Sequence, residues 1–194
     1  CGIIMNPNNG EVYACAVYPY FDLNSPYRIP DYYNTKIAML AAQYGEDSED
    51  YKIRLSEILL KNWNNKVITE TYEPGSTAKP ITTAIALEEA KTNLSDEFYC
   101  SGSYHVSVWN SPIRCSVTSG HGLLSLARAL QQSCNPAMMM LSERIGAKIY
   151  MKYFQLFGLT DKTGVDLPGE TASIYSSNPS NVDLAVYSFG QRYN

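Results

Sequence analysis

A proline-glycine turn that runs straight into an apolar helix, Glu73-Pro74-Gly75-Ser76-Thr77-Ala78-Lys79-Pro80, constrains this chain more than any other stretch. Gly75 lets the backbone turn sharply, and Pro80 is tolerated because the first helical turn needs no amide donor there. The helix predicted from Ser76 to Lys91 carries Ile81, Ala84, Ile85 and Leu87 and is polar only toward its end, so it is expected to be largely buried. Ser76 and Lys79, three residues apart, fall on one face of that helix. A serine hydroxyl is a weak nucleophile until a base takes its proton, and a desolvated lysine amine is such a base. Free amides at the helix N-terminus would face a developing oxyanion. Alone, the four-letter pattern carries little. About one or two such matches arise by chance in a chain of this length, and a helix start with a solvated lysine reads the same.

At 194 residues the chain is long enough for one domain with a sizeable core. A formal net charge of -4 and the lack of any Lys/Arg run leave no electrostatic footprint for nucleic acid. No apolar run approaches the roughly 18–20 residues of a membrane-spanning helix. The chain opens at Cys1 in a strand-like segment, with neither an initiator Met nor a signal peptide, and is expected to be a piece of a longer protein. Its cysteines are Cys1, Cys15, Cys100, Cys115 and Cys134. They form no Cys-x-x-Cys pair, and neither His105 nor His121 is spaced from them as in a zinc motif, so neither metal nor cofactor is expected. Cys100 and Cys115 flank a loop rich in Ser, Gly and Tyr, where a disulfide outside the cytoplasm and two reduced thiols fit equally well.

Residues 2–7 read as a strand, Asn8-Asn9-Gly10 as a turn and residues 11–18 as the returning strand. A tyrosine- and proline-bearing loop follows, then helices over about 35–44 and 48–62, and a short extended segment from Lys66 to Tyr72. Beyond the buried helix, residues 97–122 read as loop and short strands. Leu123 to Gln132 reads as a helix with Leu123, Leu126, Ala127 and Leu130 on one face, and it ends at Ser133-Cys134-Asn135-Pro136. Helices to Ile145 and over about 147–157 follow, then turn-rich and Ser/Asn-rich loops, and a last helix from about Asn181. Met138-Met139-Met140 reads as core.

Ser133-x-Asn135 adds a hydroxyl and an amide at a helix junction. The hydroxyl suits a proton shuttle between the lysine and a leaving amine, and the amide suits holding both the lysine and a substrate backbone. Ser-x-x-Lys, then a Ser-x-Asn triplet, then Lys-Thr-Gly is the motif order of penicillin-interacting serine enzymes. Ser176-Ser177-Asn178 has the same letters but lies in a loop. The chain resembles the class B penicillin-binding proteins, which are D,D-transpeptidases, and most of all their sporulation-type members in Gram-positive spore formers. The resemblance runs in order through Met5-Asn6-Pro7, Gly10-Glu11, Tyr18-Pro19, Asn24, Tyr72 to Pro80, Gly120-His121-Gly122 and Ser133-Cys134-Asn135-Pro136. It continues through Gly164-x-Asp166-Leu167-Pro168-Gly169-Glu170 and Ser188-Phe189-Gly190-Gln191.

The resemblance implies an α/β (α+β) fold of the penicillin-binding transpeptidase and serine β-lactamase kind, a five-stranded sheet with helices on both faces. Residues 1–194 are then a partial transpeptidase domain, with the first two antiparallel strands and the mainly helical part. Ser76 would be the acylated nucleophile, Lys79 its base, and Ser133 and Asn135 the proton relay and substrate anchor. The Ser76 amide would form part of the oxyanion hole. Partners implied are D-Ala-D-Ala stem peptides of peptidoglycan, β-lactams that acylate Ser76, and cell-wall synthesis proteins. The site would work on the outer face of a bacterial membrane, in a protein anchored by an N-terminal transmembrane helix.

Two departures stand out. Ala78 occupies a place where many relatives have Phe, which enlarges the space behind the serine. Lys162-Thr163-Gly164 comes too soon after Asn135 and runs directly into Val165-Asp166-Leu167-Pro168-Gly169-Glu170, so it reads as a structural turn. The third motif and its strands are then missing, the piece is expected to be inactive by itself, and its open sheet edge is expected to pair with another copy or another chain. A class A β-lactamase is disfavoured, since Glu170 is followed by Ile174 where that family needs Asn. A non-catalytic penicillin sensor or scaffold piece is the other alternative. His121 reads as a loop-positioning residue and His105 as a loop histidine.

Overall fold

Turn chemistry sets the first hairpin. In the computed structural model, which describes residues 1–107 and 109–194, β1 (Gly2–Met5) pairs antiparallel with β2 (Val12–Ala16), Ile3 opposite Cys15, with a register shift at Ile4/Met5. The Asn6 and Asn9 side chains accept from the amides of Asn8 and Glu11, and Gly10 turns the chain at φ +77°. Every residue of the two strands is exposed, and Ile4 and Tyr13 stand 64% and 62% open. Among the described residues no third strand joins it.

Two compact units divide the chain. The first comprises Cys1–Glu70 and Asp166–Thr171. Besides the hairpin it holds α1 (Asn34–Tyr44) and α2 (Glu49–Trp63), which pack together. Ser48 caps α2 by accepting from the Tyr51 amide. Lys66–Thr69, expected to be extended, is one helical turn, α3. The Asn65 side chain accepts from the Val67 amide, and this local cap outcompetes extension. The Asp166–Thr171 segment is stitched to the end of α3, since the Thr171 amide donates to Ile68 O and its hydroxyl to Thr69 O. A cavity of about 710 Å³ belongs to this unit and is lined by residues such as Tyr18, Phe21, Arg28 and Tyr32. It contains none of the four expected site residues.

The second unit comprises Thr71–Val165 and Ala172–Asn194. It starts with a 3-10 turn, Gly75–Ala78, that leads into α4 (Lys79–Glu88). Three strand segments follow, β3 (Glu97–Cys100), β4 (Ser103–Tyr104) and β5 (Ile113–Arg114), then β6 (Gly122–Ser125). β3 pairs with β6 and β4 with β5, both antiparallel. Leu123, expected on a helix, is therefore in a strand. Leu124 faces the core while Leu123 points out, an alternation of period two. The Ser125 side chain accepts from the Arg128 amide and so starts α5 (Leu126–Gln131) three residues later than expected.

The remaining helices are α6 (Asn135–Ile145), α7 (Ala147–Leu156) and α8 (Asn181–Tyr187). α4 and α8 both pack on α6. Met138 and Met139 are fully buried, as expected of core positions. Phe154 lies among the rings of Tyr150, Tyr175, Tyr187 and Tyr193, at centroid distances from 4.8 to 6.3 Å. Mixed helices and short strands of this kind are the α/β character expected, held as separate two-stranded sheets. Truncating Phe154 to Ala should leave a cavity inside that aromatic cluster and destabilise the second unit by about 3–5 kcal/mol. Urea denaturation checks this, and an unchanged midpoint would show that the cluster does not hold the unit together.

Candidate active site

Ser76 and Lys79 occupy different kinds of backbone. Ser76 is in the 3-10 turn, and Lys79 opens α4, with its amide donating to Ser76 O. The turn that presents Ser76 is fixed from the far end of the sequence. The Gly75 amide donates to Gly190 O at 2.8 Å, and the Arg192 amide donates to Glu73 Oε1 at 2.7 Å. Gly190 (φ +80°) presses so closely that a Cβ there would lie 2.0 Å from Gly75 O. Behind the turn, Thr82 of α4 donates to Ser188 O at 2.9 Å and shares a 2.9 Å hydrogen bond with Tyr150.

Ser133 and Asn135 arrive through a helix ending. The Ser133 amide donates to Leu130 O and the Cys134 amide to Ala129 O, the paired bonds of a Schellman cap on α5. The capping residue needs a left-handed backbone, and Ser133 adopts it at φ +52°. A glycine would hold this conformation with less strain but would bring no hydroxyl. The cap turns two Ser133 oxygens toward Lys79. Asn135 then begins α6, with Pro136 in the first turn, where its missing amide is harmless.

Lys79 is 99% buried by its 1% exposure, and its amine makes three short hydrogen bonds. It donates to Ser133 O (2.7 Å), Ser133 Oγ (2.8 Å) and Asn135 Oδ1 (2.7 Å). Ser133 Oγ in turn donates to Ser76 Oγ at 3.0 Å. The expected direct reach of Lys79 to Ser76 is replaced by a path through Ser133. Asn135 Nδ2 points to Arg114 O at 3.5 Å. Burial pushes the Lys79 amine below its ordinary 10.5, while negative charge on Cys115 and Cys134 would pull it back up. An amine that donates three hydrogen bonds is the ammonium form. When it gives up a proton both hydroxyls can reverse, so that Ser76 donates to Ser133 and Ser133 to the amine, which is the arrangement that activates a serine.

Lys162-Thr163-Gly164 lies in irregular backbone and on no strand. The sequence spacing pointed to no metal, yet the fold collects a ligand set beside the relay. All five cysteines are free thiols, so Cys100 and Cys115 are not joined. Cys100, Cys115, Cys134 and His121 bring their ligand atoms within 4.8 Å of one another. His121 was expected only to position a loop. Its Nδ1 lies 3.6 Å from Cys115 Sγ. No local spacing signals this cluster, because β3–β6 pairing and the start of α6 assemble it.

The sequence profile of the penicillin binding protein transpeptidase domain matches residues 1–193. Stage V sporulation protein D of Bacillus subtilis is 36% identical over 97% of this chain and 25% of its own length. A peptidoglycan D,D-transpeptidase FtsI homolog of Mesostigma viride is 27% identical over 97% of this chain and 29% of its own length. The chain thus spans little more than a quarter of these relatives. Penicillin-binding protein A of M. tuberculosis, solved as a penicillin G acyl-enzyme complex, superposes with a TM-score of 0.72 over 98% of this chain and 41% of that one, at 21% identity, a likeness of fold.

The buried amine makes a stability prediction. The unfolded chain holds the Lys79 proton more tightly than the folded chain, so between the lowered folded value and 10.5 stability rises with pH. Each unit of lowering moves stability by about 1.4 kcal/mol across that window. Urea midpoints of wild type and Lys79→Met, taken as a difference, should show wild type gaining on the variant as pH climbs through it. A flat difference would mean that Lys79 titrates as an ordinary lysine.

Proposed function

The chain belongs to the penicillin binding protein transpeptidase domain family, and on that premise we propose that the protein carrying it is a peptidoglycan D,D-transpeptidase. The observation that supports this most is the continuous path Lys79–Ser133–Ser76, with Asn135 as the third acceptor of the lysine. Ser76 is the nucleophile. As its oxygen bonds to the penultimate D-Ala carbonyl carbon, its proton passes through Ser133 to a neutral Lys79. The same path returns the proton to the departing D-Ala amine as the peptide bond breaks. A stem-peptide amine then attacks the acyl-enzyme by the reverse relay and completes the cross-link. Asn135 holds Lys79 and a substrate backbone amide, and the Ser76 amide serves as an oxyanion donor. β-Lactams react as mimics and leave Ser76 acylated.

Residues 1–194 form part of that domain in this reading, with no cofactor. Carboxylate recognition comes from a Lys-Thr-Gly strand outside these residues, since Lys162-Thr163-Gly164 is on no strand. The likeness to a protein named for sporulation favours a role in spore cell-wall synthesis, alongside other wall-synthesis proteins. No helix among the described residues is long and apolar enough to cross a membrane, and the anchor of an extracytoplasmic enzyme would lie elsewhere in the protein.

Fluorescent penicillin should label the whole protein and lose at least about 10³-fold in rate in Ser76→Ala, since the nucleophile has no substitute. Labelling that survives this substitution would overturn the nucleophile assignment. A protein that never labels would favour a scaffold role. The exposed apolar hairpin supports a second element of the proposal, that β1–β2 pairs with strands from outside these residues. Expressed alone, the 194 residues should sediment as dimers or larger species. A monomer that melts cooperatively would count against pairing through that edge.

A further inference from the structure

Cys100, Cys115, His121 and Cys134 come from four separate points of the second unit, and we propose that together they bind one zinc ion in a closed tetrahedral site. Cys100 ends β3, Cys115 follows β5, His121 directly precedes β6, and Cys134 precedes α6. The three sulfurs are buried and His121 half-buried. Zinc–sulfur and zinc–nitrogen bonds of about 2.3 and 2.0–2.1 Å at the tetrahedral angle place sulfur about 3.6 Å from nitrogen and about 3.8 Å from another sulfur. The Cys115 Sγ to His121 Nδ1 separation is 3.6 Å, and no ligand atom lies beyond 4.8 Å of any other. Closing the set around an ion therefore requires side-chain shifts of about 1 Å or less.

Surrounding backbone is built to hold the cluster. Gly102 and Gly120 let two loop segments meet where side chains do not fit. A Cβ on Gly120 would lie 2.4 Å from Cys100 O, and one on Gly102 would lie 2.0 Å from Thr118 O. This contact brings Cys100 beside His121. The Cys115 amide donates to Gly102 O at 2.9 Å and fixes the third arm.

Three sulfurs and one imidazole in a tetrahedral set select zinc over the oxygen-preferring cations. With four protein ligands and no open position, the ion is structural. On binding, each thiol releases its proton and His121 ligates as a neutral ring through Nδ1, so three thiolates and one dication leave a net charge of −1. The ion would tie β3, β6 and the loop between them to Cys134, the residue between Ser133 and Asn135. It positions the relay and touches no reacting atom.

The test uses the whole protein that carries this chain, loaded with zinc chloride under reducing conditions, desalted and measured by plasma mass spectrometry. One zinc per chain is expected, with affinity falling more than about tenfold in Cys100→Ser and in His121→Ala. Cobalt in place of zinc should give near-ultraviolet thiolate charge-transfer bands and the intense visible bands of a tetrahedral ion. This wild-type spectrum identifies the ligand set even where a variant does not fold. No retained zinc, three thiols that react freely in the zinc-loaded protein, or a disulfide joining two of these cysteines in protein taken from cells would each overturn the site. None of these readouts passes through acyl transfer, so failure here and failure of the transpeptidase reading are distinguishable.

Discussion

Burying an amine of lysine with no carboxylate beside it is the constraint on which the second unit depends. A desolvated ammonium is expensive unless every proton finds an acceptor. Lys79 finds three, and all come from Ser133 and Asn135. They are neutral oxygens, which satisfy hydrogen bonds without fixing the positive charge as a carboxylate would. Burial can then depress the amine instead of trapping it protonated. The choice of partners turns a costly buried group into a base.

That choice propagates outward. Acceptors for Lys79 require a helix to end at Ser133 in a left-handed residue, and the next helix to start at Asn135. α6 must then lie against α4, and seven of its eleven residues are buried. Ser76 must be held from the other side. Gly190 and Arg192 do this by bonding the Glu73–Gly75 turn, and Thr82 locks α4 to the chain just after α8. Residues 188–192, remote in sequence from the nucleophile, act as the clamp on its turn.

Much of this was legible from short-range rules. Pro and Gly marked the Ser76 turn, apolar spacing marked α4, and Pro136 marked the start of α6. The ordered motifs carried the family because each joins a backbone requirement to a chemical group. What failed was long-range. Leu123 looked helical because Leu126, Ala127 and Leu130 continue its periodicity, and only pairing with Tyr99 makes it a strand residue. Ser76 and Lys79 share a helix face on paper, but the serine's hydrogen bond goes to a residue that sequence places far away. The thiol cluster left no local pattern at all, because its spacing is set by the β3–β6 register and by two glycine contacts.

The start of α6 belongs to both constellations. Ser133 and Asn135 face the lysine, and Cys134 between them turns into the sulfur cluster. In the left-handed and extended backbone before α6, successive side chains point in different directions, so three adjacent residues can serve two sites. This sharing limits what a substitution at Cys134 can reveal, since a change there disturbs the Schellman cap and the relay along with any ligand. Cys100 and His121 make no hydrogen bond to Ser76, Lys79, Ser133 or Asn135, and their side chains meet the relay only through the cluster. They are the positions where the two sites separate physically, and where binding of an ion can be read apart from activation of the serine.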